Sequence, residues 1–279
     1  MVTIPTARFV VTCPAGCDAD FQPTDVALPE GRLLACRACG HLISQIGEAD
    51  YLAALAKFDT EAGTLPDDAS WKRHDQRARR LFSRLRKLLD VPPDGSFRLL
   101  DVGCSSGALL LSAKRDGIKA EGVEPAVKAA ESARAAGLAV FSGTLQDAGY
   151  PAERFQAVTM MEVIEHLPRP VDVVREIWNV LAPGGLLAIG TGNADSWTVS
   201  VMRERWDYFH VGRYGGAHQF FHAAFAGTVG GSLRVSDRTA GDASRAVCRV
   251  LSDVSRIVPF VENCSRGVEF AGHVVPQRP

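Results

Sequence analysis

At 279 residues the chain has room for one large domain, or for an ordinary domain with a small accessory unit. Hydrophobic residues make up 46% and charged residues 23%, a globular mixture with ample material for a buried core. The net charge of −1 gives no whole-molecule field that would draw nucleic acid or an anionic membrane, so any basic patch must be local.

The first residues, Met1 to Val11, carry Pro5 and Arg8 and lack the apolar run of a secretory signal. No stretch approaches the roughly 20 apolar residues that span a bilayer. A soluble, cytoplasmic chain without membrane association is expected. Four of the seven cysteines fall in two pairs near the start, Cys13-x3-Cys17 and, eighteen residues on, Cys36-x2-Cys39-Gly40-His41. In a reducing compartment such pairs point to metal rather than to disulfides. Four thiolates close a tetrahedral site, Gly40 permits the tight turn of a knuckle, and His41 is a substitute ligand. With no open position the ion would be structural zinc, offsetting the meagre core of a unit of about 35 residues. The segment resembles the short prokaryotic zinc ribbons, including the Cys13-Pro14 start and an aromatic, Phe21, after the first pair. Strand-like runs occur at Phe9–Val11 and Gly31–Ala35, with turn residues between them. The module is assigned to residues 1–47.

Residues 48–94 read as a helical linker or cap. Ala78, Leu81, Phe82, Leu85, Leu88 and Leu89 recur at helical spacing within Trp71–Leu89, while Lys72, Arg73, Arg77, Arg80, Arg84 and Lys87 take the other faces. That basic face has two readings: an ordinary solvated surface, or a phosphate-binding one.

From residue 95 to 279 strand alternates with helix. Strands are expected at Arg98–Val102, Ile118–Val123, Leu138–Phe141, Ala157–Met161 and Leu186–Gly190. Helices are expected at Ala108–Arg115, Ala126–Ala136 and along Val171, Val174, Ile177, Trp178 and Leu181, the last ending at Pro183-Gly-Gly. Ser232–Arg238 and Val268–Val275 could supply two final strands. The pattern is that of an α/β fold with a doubly wound, mainly parallel seven-stranded sheet.

The first of these strands runs into Asp101-Val-Gly103-Cys104-Ser105-Ser106-Gly107, a glycine turn that can bring backbone N–H groups against a ligand. Its spacing departs from the G-x-G-x-x-G of dinucleotide folds. Glu124, twenty-three residues after Asp101, ends the second strand, where a carboxylate can accept both hydroxyls of a ribose. Together these features indicate an adenosine-type cofactor.

The runs LLDVGCSSGALL, EGVEP, RFQAVTMMEVIEHLPRP and LAPGGLLAIGT resemble, in order and spacing, the motifs of class I S-adenosylmethionine-dependent methyltransferases. The nearest branch includes the ubiquinone-biosynthesis O-methyltransferases. The resemblance covers about Phe97 to Thr191. It implies a Rossmann-like fold in which Asp101, Gly103, Ser105 and Gly107 surround the methionine part of S-adenosylmethionine. It further implies that Glu124 holds the ribose, that Leu145 and Gln146 flank the adenine, and that Met161 and Glu162 line the cleft near the sulfonium. The chain departs from the family at Ser105, where glycine is common, at Gln146, where an acid is common, and at Gln156, where Asp usually follows Phe.

Candidate bases are His166, His210 and His218, with His222 beside them; His210 and His218 are the candidates for facing the acceptor. In the resembling branch the acid and histidine of the Glu162-Val-Ile-Glu165-His166 run have been linked to a divalent metal, and two glutamates would suit Mg²⁺. The preferred reading has Glu165 and His166 capping their loop. The aromatics Trp197, Trp206, Tyr208, Phe209, Phe220 and Phe221 fit either a substrate lid or a plug over the sheet edge. The expected reaction is methyl transfer to a hydroxyl, or with less support an amine or carbon, of a small metabolite, sugar or natural-product intermediate. Two rivals stand beside it: an RNA methyltransferase holding nucleic acid with its ribbon and arginine-rich helix, and a non-catalytic binding protein of the same fold. Acceptor identity and oligomeric state are not encoded in any motif.

Overall fold

A computed structural model describes residues 9–61, 68–93, 95–194, 196–209 and 218–221. Two sheets organise them. The larger holds β4 (Arg98–Val102), β5 (Lys119–Glu124), β6 (Val140–Ser142), β7 (Phe155–Met161) and β8 (Leu181–Gly190) in the order β6-β5-β4-β7-β8, every neighbouring pair parallel. The order reverses at β4, so the chain winds outward in both directions and leaves a crevice beyond the carboxyl ends of β4 and β5. The two further strands expected at Ser232–Arg238 and Val268–Val275 lie outside the described residues, as do His210 and His222.

Alternation along β4 divides the core. Leu100 and Val102 face a cluster built with Val158, Met160 and the residues Val174, Ile177 and Val180 of α6 (Pro170–Val180). Leu99 faces the opposite layer, where α2 (Asp68–Leu89) sets Ala78, Leu81, Phe82 and Leu85 against Ala113, Ala157, Leu186 and Ala188. Ala113 belongs to α3 (Ala108–Arg115), and α4 (Val127–Ala135) adds Ala130 and Ala133 against Leu110 and Val140. Both faces are covered, which is why these strands read as continuous apolar runs.

The end of α2 is fastened by Arg86, a buried side chain. Its Nε donates to the Gly95 carbonyl (3.0 Å), Nη1 to the Asp116 carboxylate (2.5 Å) and Nη2 to the Asp116 carbonyl (2.9 Å). Arg86→Ala would take these donors from three partly buried acceptors, one on Gly95 and two on Asp116. Because Asp116 keeps some contact with water, the expected cost is about 2–3 kcal/mol rather than that of a fully buried pair. Urea denaturation should show it as a lowered midpoint with an unchanged slope.

The smaller sheet is antiparallel: β1 (Phe21–Leu28), β2 (Gly31–Cys36), β3 (Leu42–Ile43) and β9 (Gln219–Phe220), in the order β1-β2-β3-β9. The strand expected at Phe9–Val11 is irregular chain instead; the Phe9 amide bonds to the Ile46 carbonyl, and its ring stacks on Tyr51 of α1 (Glu48–Glu61). The turn expected before Gly31 contains the eight residues of β1, an edge strand with a register shift between Pro23 and Ala27. The helix expected to include Leu181 and stop at Pro183-Gly-Gly ends instead at Val180. Leu181 already pairs with Phe155 in β8, and the register shifts as Ala182-Pro183-Gly184-Gly185 bulges out before Leu186 meets Ala157. The cysteine-bearing sheet also shares its core with distant residues. Leu28 and Leu33 pack with Ala194, Trp206, Phe209 and Phe220. Among the described residues no helix is long and apolar enough to cross a membrane.

Candidate active site

The turn after β4 and the end of β5 meet directly. The Ser105 amide donates to Glu124 Oε2 (2.7 Å), and the Ala126 amide to Oε1 (2.8 Å). The Gly103 and Cys104 amides both reach the Val123 carbonyl (2.9 and 3.2 Å), folding the turn back over β5. Gly103 (φ +73°) and Gly107 (φ +87°) sit in the left-handed region. A Cβ on Gly103 would come within 2.4 Å of the Val163 side chain, and one on Gly107 within 2.4 Å of Leu138, so both backbone shape and lack of side chain are required. Ser105 takes the same left-handed backbone (φ +48°) without being glycine, a modest local strain where the resembling family has glycine.

Glu124 is buried, with the Ser105 amide on Oε2 and the Ala126 amide on Oε1. A carboxylate with two lone pairs on each oxygen is the acceptor type that a pair of vicinal hydroxyls requires. Asp101, also buried, accepts from Thr159 Oγ1 (2.6 Å). Burial pushes its carboxyl up to about 7; the charge of Glu124 adds to this, and the Thr159 hydroxyl opposes it. An unfolded Asp ionises near 3.8, whereas the folded one keeps its proton until about 7. This contribution to stability is therefore full below pH 4 and lost as pH rises towards 7, by at most roughly 4 kcal/mol. Glu165 acts with the same sign. Asp101→Asn should flatten part of the decline of stability between pH 4 and 7 in the ligand-free protein, measured by urea unfolding at each pH.

Leu145 is buried at the start of α5 (Leu145–Ala148), and Gln146 is exposed beside it, just beyond β6. This four-residue helix exists because Thr144 and Asp147 cap it reciprocally. Gln156 sits at the other end of the sheet, where its Oε1 accepts the Arg98 amide (2.8 Å). It therefore takes no part in the crevice.

Met161 ends β7 and Glu162 follows it. Glu162 is exposed with φ +56°, and Tyr208 Oη donates to its Oε2. Glu165 is buried, accepts from Thr191 Oγ1 (3.0 Å), and has its carboxyl raised by burial and by the charge of Glu162. His166 Nε2 lies 3.9 Å from Glu165 Oε1. His218 is wholly buried, edge-on to Phe9 and Tyr51 at ring-centroid distances of 5.7 and 5.1 Å, and its amide donates to the Glu165 carbonyl (3.0 Å). Contact with an acceptor would require that packing to open. The aromatic segment divides between the two readings: Trp206, Phe209 and Phe220 are core of the small sheet, while Tyr208, stacked on Trp206, reaches Glu162. Thr159, Thr191 and Gln219 were missed by motif reading; a lone hydroxyl inside an apolar strand, as Thr159 is, was the one local signal available.

The thiols of Cys13, Cys17, Cys36 and Cys39 all lie within 4.8 Å of one another, with Cys13 and Cys39 at 3.6 Å. Four sulfurs around one zinc ion stand about 3.8 Å apart for Zn–S bonds of about 2.3 Å, so the group fits a tetrahedral ion. The extra residue of the first pair is absorbed by a turn in which the Gly16 amide reaches the Cys13 carbonyl; Gly40 and Cys36 do the same in the second. The Cys39 thiol and burial raise Cys13, and burial pushes Cys17 up to about 11, so ion binding would release protons. His41 is not in the group: its Nε2 lies 3.0 Å from Gln219 Oε1.

Residues 71–225, more than half of the chain, match a family described as a methyltransferase domain. The chain belongs to that family. The methyltransferase domain so defined takes in the glycine turn, Glu124, the β7 turn and β9. Two relatives are named ubiquinone biosynthesis O-methyltransferase. The one from Psychrobacter cryohalolentis is 34% identical over 108 residues, 34% of this chain and 41% of that one. The one from Serratia proteamaculans is 32% identical over 113 residues, 37% and 47% of the two chains. The chain thus spans less than half the length of these relatives. A solved SAM-dependent methyltransferase from Thermotoga maritima is 22% identical, covering 61% of this chain and 74% of that one with a TM-score of 0.41.

Proposed function

We propose that the protein transfers a methyl group from S-adenosylmethionine to a hydroxyl of a small metabolite, sugar or natural-product intermediate, with an amine or carbon acceptor less favoured. The observation that carries this reading is the junction of Ser105 and Glu124, within a chain of the methyltransferase-domain family. S-adenosylmethionine supplies a methyl already activated by its sulfonium. The protein's part is to bind, align and exclude water. Glu124 would accept the two ribose hydroxyls. Asp101 and the turn Gly103, Ser105 and Gly107 would enclose the methionine part. Leu145 and Gln146 would flank the adenine, and Met161 and Glu162 would stand by the sulfonium.

For proton removal from the acceptor, His166 is the candidate within the described residues that keeps partial exposure, and His210 remains one from sequence. The engagement of Glu162 by Tyr208 and of Glu165 by Thr191 favours loop-holding over Mg²⁺ binding. The relatives' name as O-methyltransferases supports a hydroxyl acceptor. Against an RNA substrate, one arginine of the basic helix is already used: Arg79 pairs with Asp75 (2.9 Å). The test is transfer of labelled methyl to a panel of phenols, catechols, sugars and amines, with RNA at low salt as a parallel arm. Labelling of a hydroxyl compound is expected. Labelling of RNA alone, or of nothing in the panel with cofactor bound, would overturn the reading.

A further inference from the structure

The turn after β7 is held from outside itself. Gln219 Nε2 donates to the Ile164 carbonyl (3.1 Å) and to the Leu167 carbonyl; the His218 amide takes Glu165 O (3.0 Å), and Tyr51 Oη takes His166 O (2.9 Å). Four consecutive carbonyls, beside the carboxylates Glu162 and Glu165, are thus bonded by α1 and by the segment carrying β9. The far side of the same segment joins the cysteine module. Gln219 Oε1 meets His41 Nε2, two residues past Cys39. Gln219 pairs with Ile43, and the Ser44 amide donates to the His218 carbonyl (2.9 Å). Gln219 is wholly buried, so water does not compete for these bonds. A primary amide suits the position because it accepts from an imidazole N–H on one side and donates twice on the other.

We propose that Gln219 is a positioning residue that couples the four-cysteine metal site to the cleft turn, so that an ordered metal module fixes the orientation of Glu162 and Glu165. The coupling spans 178 residues of sequence between His41 and Gln219 but only one side chain in space. It rests on the reading of residues 162–167 as the edge of the methyl-transfer cleft.

The test is hydrogen–deuterium exchange on the full chain loaded with zinc, comparing wild type with Gln219→Leu and Gln219→Glu. Glu keeps an acceptor for His41 but loses the amide donors, so it separates docking of the module from support of the turn. Exchange of the amides at 163–167 is expected to accelerate about tenfold or more in both variants, with β4 and β5 unchanged. Cobalt-loaded protein should keep its thiolate-to-metal absorption band in Gln219→Glu, and stripping zinc from the wild type should accelerate the same amides. Unchanged exchange at 163–167 in both variants, or acceleration spread equally over β4 and β5, would overturn the coupling. Titration of the wild type with S-adenosylhomocysteine tells the two readings apart: without binding, the cofactor assignment fails while the exchange result still decides the coupling.

Discussion

Glu124→Ala is expected to lower the affinity for S-adenosylhomocysteine by at least about 100-fold. The side chain has one duty in the structure and a second in the proposed function. It receives the Ser105 and Ala126 amides, shaping the turn, and in the proposed function it also accepts the ligand's ribose hydroxyls. Hydrogen bonds to a charged group contribute about 1.5–3 kcal/mol each, so losing two from the ligand alone exceeds about 3 kcal/mol. Glu124→Gln separates the duties. Its one remaining oxygen can serve one backbone amide and one hydroxyl, while its NH₂ faces a donor, so an intermediate loss is expected. Calorimetric titration at fixed pH measures both variants, and thermal unfolding reports whether the turn has collapsed. Wild-type affinity in Glu124→Ala would remove the ribose assignment.

The parts of this site that were legible in sequence are those written by local periodicity. β4, the glycine turn, α3, β5 and Glu124 lie within twenty-seven consecutive residues, Arg98 to Glu124, and each signals through burial pattern or turn chemistry. Short elements escaped. α5 is four residues long and is held by its Thr144–Asp147 box, too short to show a helical period. β1 has Pro23 and polar residues on an exposed edge, so its pattern resembles a loop. Pro183-Gly184-Gly185 reads as the end of a helix, but the helix has already ended at Val180 and the glycines form a bulge inside a strand. The bonds of Gln219 were beyond reach for a different reason. A partner 178 residues away leaves no mark on either neighbourhood, and a lone Gln in an aromatic run looks like a surface residue.

Cys36→Ser is expected to abolish binding of one zinc ion per chain and to lower the melting temperature by roughly 10–20 °C. Cys36 is buried at the end of β2 opposite Phe21, so its loss removes a ligand at the hinge of the sheet. A unit this small has little core of its own, and a structural zinc ion holds several kcal/mol of its folding energy. Here the effect spreads further, because Leu28 and Leu33 share their cluster with Trp206, Phe209 and Phe220. Loss of the sheet would uncover those aromatics and withdraw the support of Tyr208, which reaches Glu162. A loss of about 5 kcal/mol in a chain of this size corresponds to the stated range of temperature. Cys104→Ser is the control: Cys104 packs against Leu110 away from the four-thiol group, and its substitution should leave the zinc content unchanged. Metal analysis by mass spectrometry and calorimetric melting give both readings on one sample. A zinc-free wild type that melts at the temperature of the loaded protein would show that the four thiols do not carry the fold of the module.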